Sequence, residues 1–270
     1  MAVTDLSGFR GRFSALRPKQ KKTIVQISAV LLALLAWEAV GQLLGENLFA
    51  PFSEVVRSYI DLFQRGAMVE RLIQSVTEMF MAFGLAVAFA VPVGLLMGRS
   101  RNFDSVMTPW VSAFFATSTS ALLPLLIVVL GIDLPFRITI IWLACVWHIL
   151  LNLYHGARGV NQELIDVGQS FDASSFKIFK DITLPAVLPF LVSGLRMGLT
   201  RAIRGFILAE TYIRTGYGGF IMDVGNQAIS TAPVLALIIN IMLLGYVSRR
   251  LLDMAQDRLA PWASDMDTAL

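Results

Sequence analysis

The sequence predicts an all-α membrane protein of about six transmembrane helices, and three observations predict it. Apolar residues make up 56% of the chain and charged residues only 15%, with a mean hydropathy of +0.68, values of a membrane protein rather than a soluble domain. The apolar residues gather into six runs, each near the ~20 residues that a bilayer-crossing helix needs. The lysines and arginines fall mainly on one side of those runs. In lipid each segment must satisfy its own backbone polar groups, so these runs are helical.

In order, the chain reads as a basic tail over 1–22, a transmembrane region over 23–252 and a second tail over 253–270. The first tail holds Arg10, Arg12, Arg17, Lys19, Lys21 and Lys22 against the single acid Asp5. No small-residue cleavage site follows an apolar h-region there, so a retained cytoplasmic tail is expected rather than a cleaved signal peptide. The spans are expected at about 23–44, 75–98, 105–131, 135–154, 186–208 and 233–252, with a tight turn at Gly131–Pro135 between the third and fourth. With the N-terminus inside, fourteen Lys and Arg residues lie in cytoplasmic segments against five outside. That bias puts both termini in the cytoplasm.

Between the first two spans, Phe52–Phe63 reads as an amphipathic helix on the outer surface. Pro51 precedes it, Ser53 can cap it, and Val55, Val56, Tyr59, Ile60 and Phe63 share one face.

Glu163–Pro189 is too polar to span and lies in the cytoplasm by the charge count. It divides into two short amphipathic helices, Glu163–Phe171 and Ser175–Ile182, joined by Asp172-Ala173-Ser174. Leu164, Ile165, Gly168 and Phe171 form one stripe, and Phe176, Phe179 and Ile182 another; Pro185 is expected to stop the second piece. Two readings fit: a helix that docks in a groove of a cytosolic partner, or a loop folded back on the spans.

The spacing of this insert resembles the EAA loop of ABC importer permeases. Asp166-Val167-Gly168 stands at the E-A-A triplet, Asp172 at the glycine that follows, and Ile182, Leu184 and Pro185 at the I-x-L-P end. The resemblance runs from about Trp37 to Leu252. It is closest to the nitrate, taurine and sulfonate subgroup, through Gly94-Leu-Leu-Met-Gly98, Ala121-Leu-Leu-Pro124, Gly194-Leu-Arg196 and Ala209-Glu210.

The resemblance implies a type I ABC importer permease fold in a bacterial inner membrane. Its EAA loop (Glu163, Asp166, Gly168, Phe171, Asp172, Ala173, Ser174, Phe176, Ile182, Leu184, Pro185) would be a coupling helix seated on a cytosolic ABC ATPase. It further implies a second permease copy as homodimer partner, and a periplasmic or lipid-anchored binding protein delivering substrate. ATP and magnesium would be bound by the ATPase, with no cofactor in this chain, which has no Walker A pattern. Nucleic acid is no expected partner; membrane lipid is.

Two positions depart from the pattern. Asp172 replaces the glycine, and Asp tolerates the positive φ that such a turn demands better than most residues. Glu78 stands near a position where the subgroup often carries a basic residue.

The fifth span contains Arg196, Arg201 and Arg204, within about 140° of helical arc. Arginines in a span are costly and point to a protein or water-filled interior. Two readings stay open: Arg201 and Arg204 guide an anionic substrate, or they pair with Glu78, Glu38 or Glu210. Arg196, nearer the cytoplasmic end, suits the inner mouth or a folding role. Thr117, Ser118, Thr119 and Ser120 before Pro124 suggest either a kinked segment lining the path or close helix packing. Thr215–Ile221, rich in glycine, fits a re-entrant gating element or a flexible loop.

Cys145 is a lone thiol, and His148 and His155 lack metal spacing and read as ordinary helix residues. No catalytic constellation is present, so a non-catalytic transport subunit is expected. A secondary transporter, or another polytopic protein without an ATPase partner, is the alternative; it would need coupling-ion sites and usually repeated halves, and no repeat is apparent.

Overall fold

The computed structural model describes residues 18–259, with side chains for 24–254. The basic tail's Arg10, Arg12 and Arg17 and most of the second tail lie outside the described residues. The helices are α1 (Pro18–Leu44), α2 (Phe52–Gln64), α3 (Ala67–Arg99), α4 (Arg101–Ala116), a 3-10 turn (Thr119–Leu122), α5 (Leu123–Leu130), α6 (Leu134–Arg158), α7 (Gln162–Ser170), α8 (Ser175–Ile178), a π turn (Phe179–Thr183), α9 (Leu184–Ile213), α10 (Gly216–Gln227) and α11 (Ala232–Leu259). Among the described residues five helices are long and apolar enough to cross a membrane, and α4 with the 3-10 turn and α5 passes the same test as a pair bent by 88°, the geometry of a broken span or a re-entrant loop.

The described chain forms two compact units. In the first, residues 18–64 with 227–236, the turn from α1 into α2 is held by polar caps. Glu38, on α1, accepts hydrogen bonds from the Ser53 N–H (3.0 Å) and Ser53 Oγ (2.9 Å). The cap of α2 is therefore Glu38 rather than Ser53: a carboxylate at the positive end of a helix. The Trp37 indole donates to the Ala50 carbonyl and lies between Phe49 and Phe52. The face of α2 splits, with Val55 buried and Val56, Ile60 and Phe63 exposed.

In the second unit, residues 65–226 with 237–259, α6 is the central helix and α3 and α9 pack along it. Its start is specified by Pro135 in the first turn, where a missing N–H costs nothing. Ile140, Ile141, Ile149, Leu150 and Leu153 are buried on it. Small residues allow the close approach. A Cβ on Gly98 of α3 would lie 2.4 Å from the Ala157 Cβ, and one on Gly198 of α9 2.5 Å from Ile149 Cγ1.

Two expectations are corrected, and one open reading is narrowed. The third span, expected as one run over 105–131, is broken after Ala116 and bent by 88°. The Thr117 N–H and Oγ both donate to the Ala113 carbonyl and close α4, while Ser118 and Ser120 bond each other and not a helix carbonyl. Pro185 does not stop the second insert helix: Ser175–Ile213 is continuous over 39 residues. The π turn over Phe179–Thr183 widens the helix just before the proline, which sits in the first turn of α9, so its lack of an N–H is absorbed there. Thr215–Ile221, open between a gating element and a flexible loop on sequence, is helical from Gly216 onward and opens α10.

Candidate functional site: a cation-lined cavity and an exposed insert

The insert folds as two capped helices in the second unit. Asn161 Oδ1 accepts from the Glu163 N–H at the start of α7, and Ser174 Oγ accepts from the Lys177 N–H at the start of α8. Between them Asp172 has φ of 53°, the left-handed geometry that the family's glycine position implies. The Ala173 N–H reaches the Gly168 carbonyl (3.1 Å) and the Asp172 N–H the Gln169 carbonyl (2.9 Å). These two bonds make a Schellman ending with Asp172 at its left-handed position.

Asp172→Val is expected to cost about 1–2 kcal/mol at this turn, because a β-branched residue resists positive φ, whereas Asp172→Gly relieves it. The thermal midpoint of the purified protein should fall in the first variant and hold or rise in the second.

The two expected stripes are redistributed. Ile165 and Ile178 are buried, Gly168 and Ile182 are half-buried, and a Cβ on Gly168 would lie 3.2 Å from Ile182 Cδ1. Gly168, Ile178 and Ile182 pack on one another, and Ile165 and Ile178 face the end of α3 across a cavity of about 350 Å³ that Leu95, Leu96 and Arg99 also line. Leu164, Val167, Phe171 and Phe176 point outward, the last two 82% and 73% exposed. Glu163, Asp166, Ser174 and Leu184 are exposed, and Ala173 and Pro185 are half-buried.

The spans enclose the second feature. A cavity of about 410 Å³ is lined by Arg201 and Arg204 of α9, Thr117–Ser120 at the break of the third span, and His148 and Trp147 of α6. The structure thus brings together the two arginines and the hydroxyl run, which are about 80 residues apart in sequence.

Arg196 stands apart from that lining and forms an ion pair with Asp253 of α11 (2.8 Å). Glu78 does not line the cavity either. Arg137 grips it through two bonds, Nε to Oε2 (2.6 Å) and a terminal nitrogen to Oε1 (2.8 Å). Glu210 accepts from the Gly218 N–H (2.8 Å) at the start of α10, and Glu38 caps α2. The three acids proposed as partners of the fifth-span arginines are thus engaged elsewhere. Among the described residues Arg201 and Arg204 form no ion pair, and both are exposed.

Sequence reasoning missed two things here. His148 was set aside as a lone histidine, although it lies on the cavity wall. The anchoring of α10 was missed as well: Tyr217 is fully buried, its N–H donates to Ser75 Oγ (3.0 Å), its hydroxyl to the Leu237 carbonyl (3.2 Å), and Asn240 Nδ2 donates to that hydroxyl (2.9 Å). Gly216, with φ of 58°, leaves the Glu210 carboxylate room, since a Cβ there would lie 2.4 Å from its carbon.

A multi-span helical bundle with an exposed amphipathic insert and a cation-lined cavity defines a membrane transport subunit. The chain belongs to the family described as binding-protein-dependent transport system inner membrane component, whose model matches residues 90–261. It is 32% identical to a probable ABC transporter permease protein of Brucella melitensis, over 77% of this chain and 85% of that protein. It is 27% identical to the taurine transport system permease protein TauC of Escherichia coli, over 92% of this chain and 93% of TauC. The fold matches a chain of the MetNI methionine ABC transporter in inward-facing conformations, with a TM-score of 0.63 and 16% identity, over 74% of this chain and 97% of that one. The protein is the transmembrane permease subunit of an ABC importer, as the insert's spacing led us to expect. The family implies an ATPase and a substrate-binding protein as its partners.

Proposed function

We propose that this permease carries a small anion across the membrane and that Arg201 and Arg204 guide it. The observation that carries the reading is the pair of exposed guanidinium groups in one cavity, with the acids expected as their partners bonded to other groups. An intramembrane arginine without a carboxylate is costly against lipid and inexpensive where a water-filled path receives an anion. Guanidinium also matches the geometry of carboxylate, nitrate and sulfonate oxygens. The likeness to TauC supports an anion with a sulfonate-type head.

In this reading two copies of the chain enclose the path, with both termini on the ATPase side. The exposed face of α7 and α8 seats in the ATPase, which binds ATP and magnesium. Opening and closing of that partner rocks the spans between inward-open and outward-open states.

The test is transport by assembled, ATPase-active complexes carrying Arg201→Ala or Arg204→Ala. Each should lower the apparent affinity for the transported anion by about tenfold or more, the loss of one charge-assisted hydrogen bond. Unchanged affinity in both variants would remove the arginines from the path.

A further inference from the structure

The cavity lining extends beyond its two guanidinium groups, and its composition speaks to what it selects. We infer that the permease itself contains a selective binding site for organic anions with a flat apolar body, and that His148 is a specificity-determining residue in it. The inference rests on the anion-path reading above and goes beyond it, because it places recognition in this chain and not only in the binding protein.

Three features argue for it. The first is size and lining. At about 410 Å³ the cavity falls in the size range of small-organic-molecule sites, and its lining divides evenly between polar groups (Arg201, Arg204 and the hydroxyl run) and apolar, largely aromatic ones. A bare inorganic anion would engage the polar half of that lining and leave the aromatic half facing water.

The second is the aromatic wall. Phe114 and Trp147 stack with ring planes 6° apart and centroids at 5.1 Å, and Phe115 lies against the His148 ring at 5.3 Å. All four line the cavity, and Phe114 and Phe115 remain 43% and 49% exposed. Flat apolar surface standing open beside two guanidiniums suits a ligand with one charged end and one ring-like end.

The third is the supply of neutral hydrogen-bonding groups beyond the charge. A neutral imidazole offers one donor and one acceptor. Ser118 and Ser120 share a single hydrogen bond of 2.7 Å, which leaves one of their two hydroxyl protons to donate. The guanidiniums bind the head group's charge, and His148 with the serine pair can address its remaining oxygens or a ring substituent.

The experiment uses the intact importer, this chain with its ATPase, in lipid nanodiscs without the binding protein. Benzenesulfonate and sodium nitrate are titrated by calorimetry and by quenching of tryptophan fluorescence. Benzenesulfonate should bind saturably and quench, the quench should vanish in Trp147→Phe, and nitrate should not compete at equal concentration. In His148→Leu, benzenesulfonate affinity should fall about tenfold while the complex still assembles by size exclusion.

Absence of saturable benzenesulfonate binding, equal competition by nitrate, or an unchanged affinity in His148→Leu would each overturn the inference. Such a result leaves the anion-path reading standing if transport still depends on Arg201 and Arg204. Loss of that dependence overturns the path reading itself.

Discussion

Arg137→Ala is expected to destabilise the protein by about 3–5 kcal/mol, because it strands the Glu78 carboxylate in a site that is largely closed to solvent. The two side chains are only 13% and 9% exposed, and their bidentate contact at 2.6 Å joins α6 to α3, the two elements that organise the second unit. The penalty for removing one partner is the cost of an unpaired buried charge, and it exceeds the net value of the pair. Arg137→Met combined with Glu78→Leu should therefore recover most of the loss, since an apolar pair of similar volume leaves no charge uncompensated. Unfolding midpoints of the detergent-solubilised complex, followed by fluorescence-detected size exclusion, separate the cases. Equal losses in the single and double variants would show that packing, not charge, is at stake. The same contact gives Glu78 a partner on α6, away from the cavity that Arg201 and Arg204 line.

What the sequence made legible followed from rules of short range. Hydropathy over about 20 residues located the apolar segments, and the spacing of the insert identified the family before any contact was known. Asp172 is the sharpest case. A glycine position held by aspartate implied positive φ, and φ is 53° there. Long-range pairing was not legible. Arg137 lies 59 residues from Glu78, and the charge count treats it only as an outside arginine, whereas the fifth-span arginines look like closer candidates by depth. Nothing local distinguishes the two.

The break in the third span was half legible. Four successive hydroxyls before Pro124 suggested a kink, but hydropathy runs on unbroken through them and gives no measure of an 88° bend. His148 was invisible for a similar reason. A single histidine on an apolar helix carries no signal until α4 and α9 place a cavity against it.

Phe171→Ala with Phe176→Ala is expected to release the ATPase from the permease. Both rings stand on a helix pair whose opposite side buries Ile165 and Ile178 toward the end of α3, so the outward face is the one left open. Apolar surface this open, on a segment tied down by two side-chain caps and a Schellman ending, suits insertion into a partner's groove. Aromatic anchors at the centre of such interfaces are worth about 2 kcal/mol or more each, so losing both should weaken the complex by roughly a thousandfold. The check is co-purification of the ATPase with the tagged permease, alongside the thermal midpoint of the permease alone. Loss of the ATPase with an unchanged midpoint supports docking through this face. Full retention of the ATPase would mean that the two phenylalanines face something else, and deletion of 163–182 would then show whether any of the insert is bound. Polar substitution at Val167, on the same outward face, should weaken the complex in the same direction, whereas Ile165→Ala should act through the permease's own stability, because Ile165 holds the insert from beneath.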